Sequence, residues 1–135
     1  MLKLFVDTNI LLDIAFERKE YLAASQQIFS LIESGKAEGY VSALTCANVH
    51  YLIKKQASSR VADAFIRDLI RIVQVVEISS ATIEKALGQE SDFEDHIQSA
   101  CAQQVKANYI VTRNVKDFKK SQVPALTAVQ LLLII

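Results

Sequence analysis

The chain has 135 residues, 51% of them hydrophobic and 22% charged, which is enough for one buried core and too little for two full domains. That composition, with one proline and three glycines, excludes intrinsic disorder and a collagen-like or loop-dominated chain. Fifteen basic residues balance fifteen acidic ones, so a protein that coats nucleic acid by net charge is excluded while a local basic patch is not.

The start, Met1 to Val6, meets an acid at Asp7, too early for a signal peptide. No apolar run approaches the length of a membrane span, so no membrane partner is expected and the cytoplasm is the expected compartment. Cys46 and Cys101 form no CxxC pair and have no histidine at zinc-ligand spacing. A disulfide framework or zinc site is not expected, which fits a reducing environment.

Leu2 to Val6 reads as a buried strand that stops at Asp7. Thr8 or Asn9 then caps a short helix carrying Ile10, Leu11, Ile14 and Ala15, and Glu17 to Glu20 reads as a charged turn. Leu22, Ile28, Leu31 and Ile32 recur at helical spacing up to Gly35, which supplies a stop. Gly39 to Val41 is a brief strand, and Ser42 opens a helix with Leu44, Val49, Leu52 and Ile53 inward. Ser58 or Ser59 caps the next helix, with Val61, Phe65, Leu69 and Ile72 inward.

Val73 to Ile78 reads as a strand, and Ser79 or Ser80 caps a helix to about Leu87. A loop over 88–91 leads to a helix from near Asp92 to about Lys106. Tyr109 to Val111 is a strand ending at Thr112-Arg113-Asn114. A short strand over 123–126 and a helix over 128–133 close the chain. Short apolar strands alternating with helices predict an α/β fold of three α/β/α layers around a central parallel sheet, in a single domain over 1–135.

In a parallel sheet, sites form at the carboxyl ends of strands. Asp7 sits at one such end, followed by Thr8 and Asn9, and Thr112, Arg113 and Asn114 sit at another, with Asp117 just beyond. A helix cap explains a single acid but not this convergence. Asp92, Glu94 and Asp95 open a helix, where the macrodipole favours acids. Asp92 and Asp95 nevertheless share a face, and the small apolar residues after Asp95 pack that helix on the sheet. Convergence of Asp7, Asp95 and Asp117 needs a positive partner, and a hard divalent cation is the simplest. Such a site activates a water and neutralises charge on a phosphodiester, which points to phosphate-ester hydrolysis.

Val6-Asp7-Thr8-Asn9-Ile10-Leu11-Leu12-Asp13 resembles the opening motif of PIN domains, the fold of VapC-type toxin ribonucleases. Asp92-Phe93-Glu94-Asp95, followed by Ala100-Cys101-Ala102, resembles the family's third acidic segment, and Ile110 to Phe118 the fourth. Three motifs in the right order and spacing cover essentially the whole chain. The resemblance implies a PIN-like fold and a metal-dependent ribonuclease that uses Mg²⁺ or Mn²⁺ on RNA. It implies Asp7, Asp95 and Asp117 as catalytic residues, and Asp7, Asp92, Asp95, Asn114 and Asp117 around the metal. Asn9, Asn48 and Thr112 support them, and Arg113 and Lys116 contact RNA. A small antitoxin and a homodimer are the implied protein partners.

The sequence departs from the family pattern at Asn48, where a glutamate is usual, and at Asn114, where many members have aspartate. A second reading is therefore a catalytically weakened or inactive PIN-fold module that binds RNA or protein. A phosphotransfer enzyme ranks lower, because a dehalogenase-type phosphatase wants an aspartate where Asn9 stands. A receiver domain wants an acidic pair at the first strand end, which is also missing. His50 reads as a surface or capping residue, His96 adjoins Asp95 but one neighbouring histidine makes no triad, and both cysteines read as small core residues.

Overall fold

The computed structural model describes residues 1–90 and 92–135. Of the loop expected over 88–91, residues 88–90 form a turn and bend, and Ser91 lies outside the described residues. Among the described residues, strands β1 (Leu2–Val6), β2 (Ala37–Ser42), β3 (Val73–Val76), β4 (Tyr109–Val111) and β5 (Ala125–Leu126) form one sheet. All four neighbouring pairs are parallel, in the order β3-β2-β1-β4-β5. The connections are α1 (Thr8–Ala15), α2 (Lys19–Glu33), α3 (Ala43–Gln56), α4 (Ser59–Ile72), α5 (Ser80–Ala86) and α6 (Phe93–Gln104), with a 3₁₀ turn at Val115–Phe118 before β5 and α7 (Ala128–Ile134) after it. The expected three-layer α/β/α arrangement is what forms.

The central strand explains its own sequence. Leu4, Phe5 and Val6 are all fully buried because helices cover both faces, so the strand reads as an unbroken apolar run. Leu4 and Val6 point to one side, into a core with Ile28, Val49, Leu69 and Leu131 from α2, α3, α4 and α7. Phe5 points to the other, against Ile97, Cys101 and Ala86 from α6 and α5. Gly39 on β2 lets α2 come close: a Cβ there would lie 2.7 Å from Ile32 Cδ1.

Several boundaries move for identifiable reasons. The β2 strand starts at Ala37 rather than Gly39, because its pairing with β1 begins at Leu2 opposite Ala37. Helix α2 starts at Lys19, inside the stretch expected as a turn; the turn itself is made by Glu17, whose φ of +48° lies in the left-handed region. Helix α6 stops at Gln104, and Lys106 follows with φ +56°. Val61 was expected inward and is 50% exposed, since the stripe that α4 buries runs through Ala62 and Leu69. Strand β3 ends at Val76, two residues before Ile78, as the chain turns toward the Ser79 cap of α5.

The strand order sets the site. From β1 the chain builds outward through β2 to β3, then returns by α5 and α6 to place β4 on the other edge of β1. The connections leave β1 and β4 in opposite directions, which opens a crevice outside their carboxyl ends. Asp7 follows β1 and Thr112 follows β4, so both stand at that crevice.

A candidate active site at the carboxyl edge of the sheet

Asp7 is the N-cap of α1: its Oδ1 accepts from the Thr8 N–H at 2.9 Å. The cap is Asp7 itself, in place of the expected Thr8 or Asn9. Three further donors reach the same carboxylate. Gln98 Nε2 donates to Oδ1 at 3.0 Å, Thr112 Oγ1 donates to Oδ2 at 2.8 Å and Asn9 Nδ2 donates to Oδ2 at 3.3 Å. Asp7 is thus 8% exposed yet fully hydrogen-bonded, which fixes its orientation and offsets the desolvation of its charge.

The network extends to the neighbouring strand ends. Gln98 Nε2 also donates to Thr45 Oγ1 at 2.8 Å, and its Oε1 accepts from the Ser42 hydroxyl. Thr45 and Thr8 hydroxyls meet at 2.9 Å. On the β4 side, Arg113 N donates to Asn9 Oδ1 at 3.2 Å and Asn114 N to Thr112 Oγ1 at 3.0 Å. The buried polar residues Asp7, Ser42, Thr45, Gln98 and Thr112 therefore join the carboxyl ends of β1, β2 and β4 into one lattice. Buried polar groups weaken a fold unless each is satisfied, so such a concentration at one sheet edge marks a site rather than a packing solution.

Two clefts open here and share Asp95. The first, about 220 Å³, is lined by Asp7, Asn9, Asn48, Glu94, Asp95, Gln98, Arg18, Arg113 and Asn114 among others. The second, about 300 Å³, is lined by Asp92, Asp95, His96, Asp117, Lys116, Lys119 and Lys120 among others. The sequence-derived residues thus divide. Asn9, Asn48, Arg113 and Asn114 join Asp7 and Asp95 in the first cleft, with Thr112 holding Asp7 from below. Asp92, Asp117 and Lys116 stand in the second. Asp92 is also the N-cap of α6, accepting from the Glu94 and Asp95 N–H groups at 2.8 and 3.2 Å.

Asp95 feels both sets of acids. Burial first, then the charges of Asp92, Asp117, Asp7 and Glu94, push its carboxyl up to about 6. The acids around Asp95 thus repel its ionised form. Among the described residues, no three His, Cys, Asp or Glu side chains are close enough together to form a complete metal cage. Two carboxylates with neutral amides are still a donor set that Mg²⁺ accepts, since it keeps several waters and is often completed by substrate phosphate.

Sequence reasoning missed four residues of the first cleft or its support. Gln98, a polar residue in the middle of α6, is 3% exposed and orients Asp7. Glu94 lines the cleft beside Asp95. Arg18 lines it from the turn before α2. Asp13 is fully buried and pairs with both Arg18 and Arg113. An acid among Ile10, Leu11, Leu12 and Ile14 was the readable sign of a paired, buried carboxylate. His50 pairs with Asp63 at 2.7 Å, joining α3 to α4 away from the site. Burial pushes the Cys101 thiol up to about 11, which makes it an inert core residue.

A family model described as PIN domain matches residues 3–116. Ribonuclease VapC1 of Aquifex aeolicus is 27% identical over 131 residues, covering 93% of this chain and 90% of that protein. The solved structure of VapBC2 from Rickettsia felis, bound to a DNA fragment from its promoter, superposes with a TM-score of 0.70 at 15% identity, over 93% of this chain and 98% of that one. A toxin–antitoxin complex from Klebsiella pneumoniae gives a TM-score of 0.68 at 23% identity, over 92% and 96%.

Proposed function

The chain belongs to the PIN domain family, and on that premise we propose that it is a metal-dependent ribonuclease, the toxin of a toxin–antitoxin pair. The observation that carries the reading is one cleft, at the β1–β4 crevice, in which a fully hydrogen-bonded Asp7 faces a charge-stressed Asp95. Residues 1–135 act as one PIN-like unit. Strand β5 and α7 lie beyond the matched segment yet complete the same sheet and core. RNA is the substrate, a small antitoxin is the protein partner, and a homodimer through exposed apolar helix surface is the assembly. No described helix is long and apolar enough to cross a membrane, and an enzyme acting on cellular RNA works in the cytoplasm.

The residues present fit a divalent cation. Asp7 and Asp95 would hold it, with Asn114 and Asn48 as neutral oxygen donors in the same cleft and Asp92 and Asp117 adding field from the side. Mg²⁺ or Mn²⁺ supplies charge neutralisation at the scissile phosphate and a more acidic water. The chain's own residues do the rest. Thr112, Asn9, Gln98 and the Thr8 N–H fix both oxygens of Asp7, so its charge needs no reorganisation during the reaction. Asp95, crowded by the charges of Asp92, Asp117, Asp7 and Glu94, adds to the pull of the cleft on a cation. Arg113, half-buried at the cleft wall, and Lys116 on the rim of the neighbouring cleft hold RNA phosphates.

The neutral Asn48 and Asn114 favour a second reading, a weakened or inactive module that binds RNA or protein. One experiment separates them: incubate a mixed RNA panel with the antitoxin-free protein in Mg²⁺ or Mn²⁺, beside Asp7→Asn and an EDTA control. Cleavage that needs both the metal and Asp7 supports the ribonuclease. An intact panel with clean wild type moves the reading to the binding module. Gain of cleavage on Asn48→Glu would then identify an attenuated site.

A further inference from the structure

Asp13 is the most deeply buried charge in the described chain and takes no part in the Asp7 network. It sits on α1 with zero exposure, among Ile10, Leu11 and Leu12, where an ionised carboxylate survives only with close cationic partners. Two arginines supply them. Arg18 Nη1 donates to Asp13 Oδ1 at 3.2 Å, and the Arg18 N–H donates to the Asp13 carbonyl at 3.0 Å. Arg113 Nε stands 3.0 Å from Oδ2, within ion-pair distance but off the line of a hydrogen bond.

Both guanidiniums are held on a second side by a ring. Arg113 lies 4.4 Å above the centroid of Tyr21, and Arg18 lies 5.5 Å above Phe16. The left-handed turn at Glu17 folds Arg18 back over Asp13, and the Arg113 backbone is pinned to Asn9. Here one carboxylate fixes two guanidiniums, and both reach the wall of the 220 Å³ cleft that contains Asp7 and Asp95. The pair leaves a surplus positive charge, with most guanidinium donors unspent on Asp13, in the cleft that Asp7, Glu94 and Asp95 also line.

We propose that Asp13 is a positioning residue that sets Arg18 and Arg113 as a two-guanidinium clamp for an RNA phosphodiester, in the same cleft as Asp7 and Asp95. The clamp rests on the ribonuclease reading. It adds Arg18, five residues after Asp13 and outside every quoted motif, to the groups that hold the substrate. Guanidiniums bind phosphate oxygens in planar, paired fashion and cannot ligate a cation, so arginines and acids divide the labour between phosphate and metal.

The test measures binding of a fluorescein-labelled, 2′-O-methyl single-stranded RNA 12-mer by anisotropy at several salt concentrations. Wild type, Arg18→Ala, Arg18→Lys and Asp13→Asn are compared, beside Mn²⁺ affinity, thermal stability and cleavage of unmodified RNA. The clamp predicts that Arg18→Ala weakens binding about 10-fold and lowers the salt slope by about 0.7, the value of one single-strand phosphate contact. Mn²⁺ affinity stays unchanged, and Arg18→Lys recovers part of the loss. Asp13→Asn, where it folds, loses more than Arg18→Ala because both guanidiniums are released. Unchanged affinity and slope in a folded Arg18 variant, with only the melting temperature lowered, overturns the clamp. If Arg18→Ala does not fold, Arg18→Lys carries the decision: binding equal to wild type at every salt concentration overturns the clamp, and a reduced affinity supports it. Wild type that binds the 12-mer and cleaves nothing defeats the ribonuclease reading, and the slopes still judge the clamp.

Discussion

The two clefts that share Asp95 are built by different physics. In the first, the acid is buried and the two carboxylate oxygens of Asp7 each accept from two donors, drawn together from three separate segments of the chain. In the second, Asp92, Asp117, Lys116, Lys119 and Lys120 are exposed and stand on a helix start and a 3₁₀ turn. A preorganised, partly dehydrated carboxylate acts at full strength on a reacting group, whereas exposed charges are screened and act mainly by steering and holding a polyanion. On the proposed reading, the first cleft would be where the bond breaks, and the second where the RNA is held and where field is added to Asp95.

The largest expected effect comes from neutralising the first cleft. Asp7→Asn keeps the volume but removes the charge and turns one accepting oxygen into a donor, and cleavage should fall by about 10²–10³ or more, on the scale of losing one preorganised electrostatic group. Asp117→Asn in the second cleft should fall less than about 10-fold. Equal losses in single-turnover cleavage assays would erase the distinction between the clefts.

Next in size is an effect on stability. Asp95 has a folded-state pKa of about 6 against an ordinary 3.8, so between those values the folded protein binds more protons than the unfolded chain. The metal-free protein should lose stability as pH rises from about 4 to about 6 and stay at the lower level above that. Asp95→Asn removes the repulsion. It should raise the melting temperature at pH 7 by roughly 3–6 °C, about 1 kcal/mol for this partly exposed group, while abolishing cleavage. A melting temperature lowered by the substitution would show that Asp95 is a structural acid.

The order of layers was legible because it follows from spacing. Apolar runs of strand length alternate with helical stripes, and a serine or an aspartate stands before most helices. Asp7 and Thr112 could be brought together because both end strands, and strand ends share a rim. The rest of the site depends on side-chain register that the sequence does not display. Gln98 reaches Asp7 across 91 positions only because α6 lies on β1 and β2 with that face inward. Asp117 was placed with Asp7 and lies in the neighbouring cleft because the Val115–Phe118 turn carries it sideways. Asp13 was quoted within a motif, but its role depends on partners five and one hundred positions away.

The smallest expected effect sharpens the second cleft's role. Replacing Lys116, Lys119 and Lys120 together by alanine should weaken RNA binding and reduce the salt slope by up to about 2, while turnover of saturating RNA changes only a few-fold. A loss of turnover with unchanged affinity would move these lysines from holding RNA to the reaction itself.

The claim that the first cleft holds the metal is tested most directly by Mn²⁺ titration of the RNA-free protein, with free ion read by electron paramagnetic resonance. Wild type, Asp7→Asn, Asp95→Asn and Asp117→Asn are compared. Binding that is lost in the Asp7 and Asp95 variants and only weakened in the Asp117 variant is the predicted result. Binding that survives Asp7→Asn and disappears with Asp117→Asn would place the metal in the lysine-rimmed cleft and contradict the division of roles drawn here.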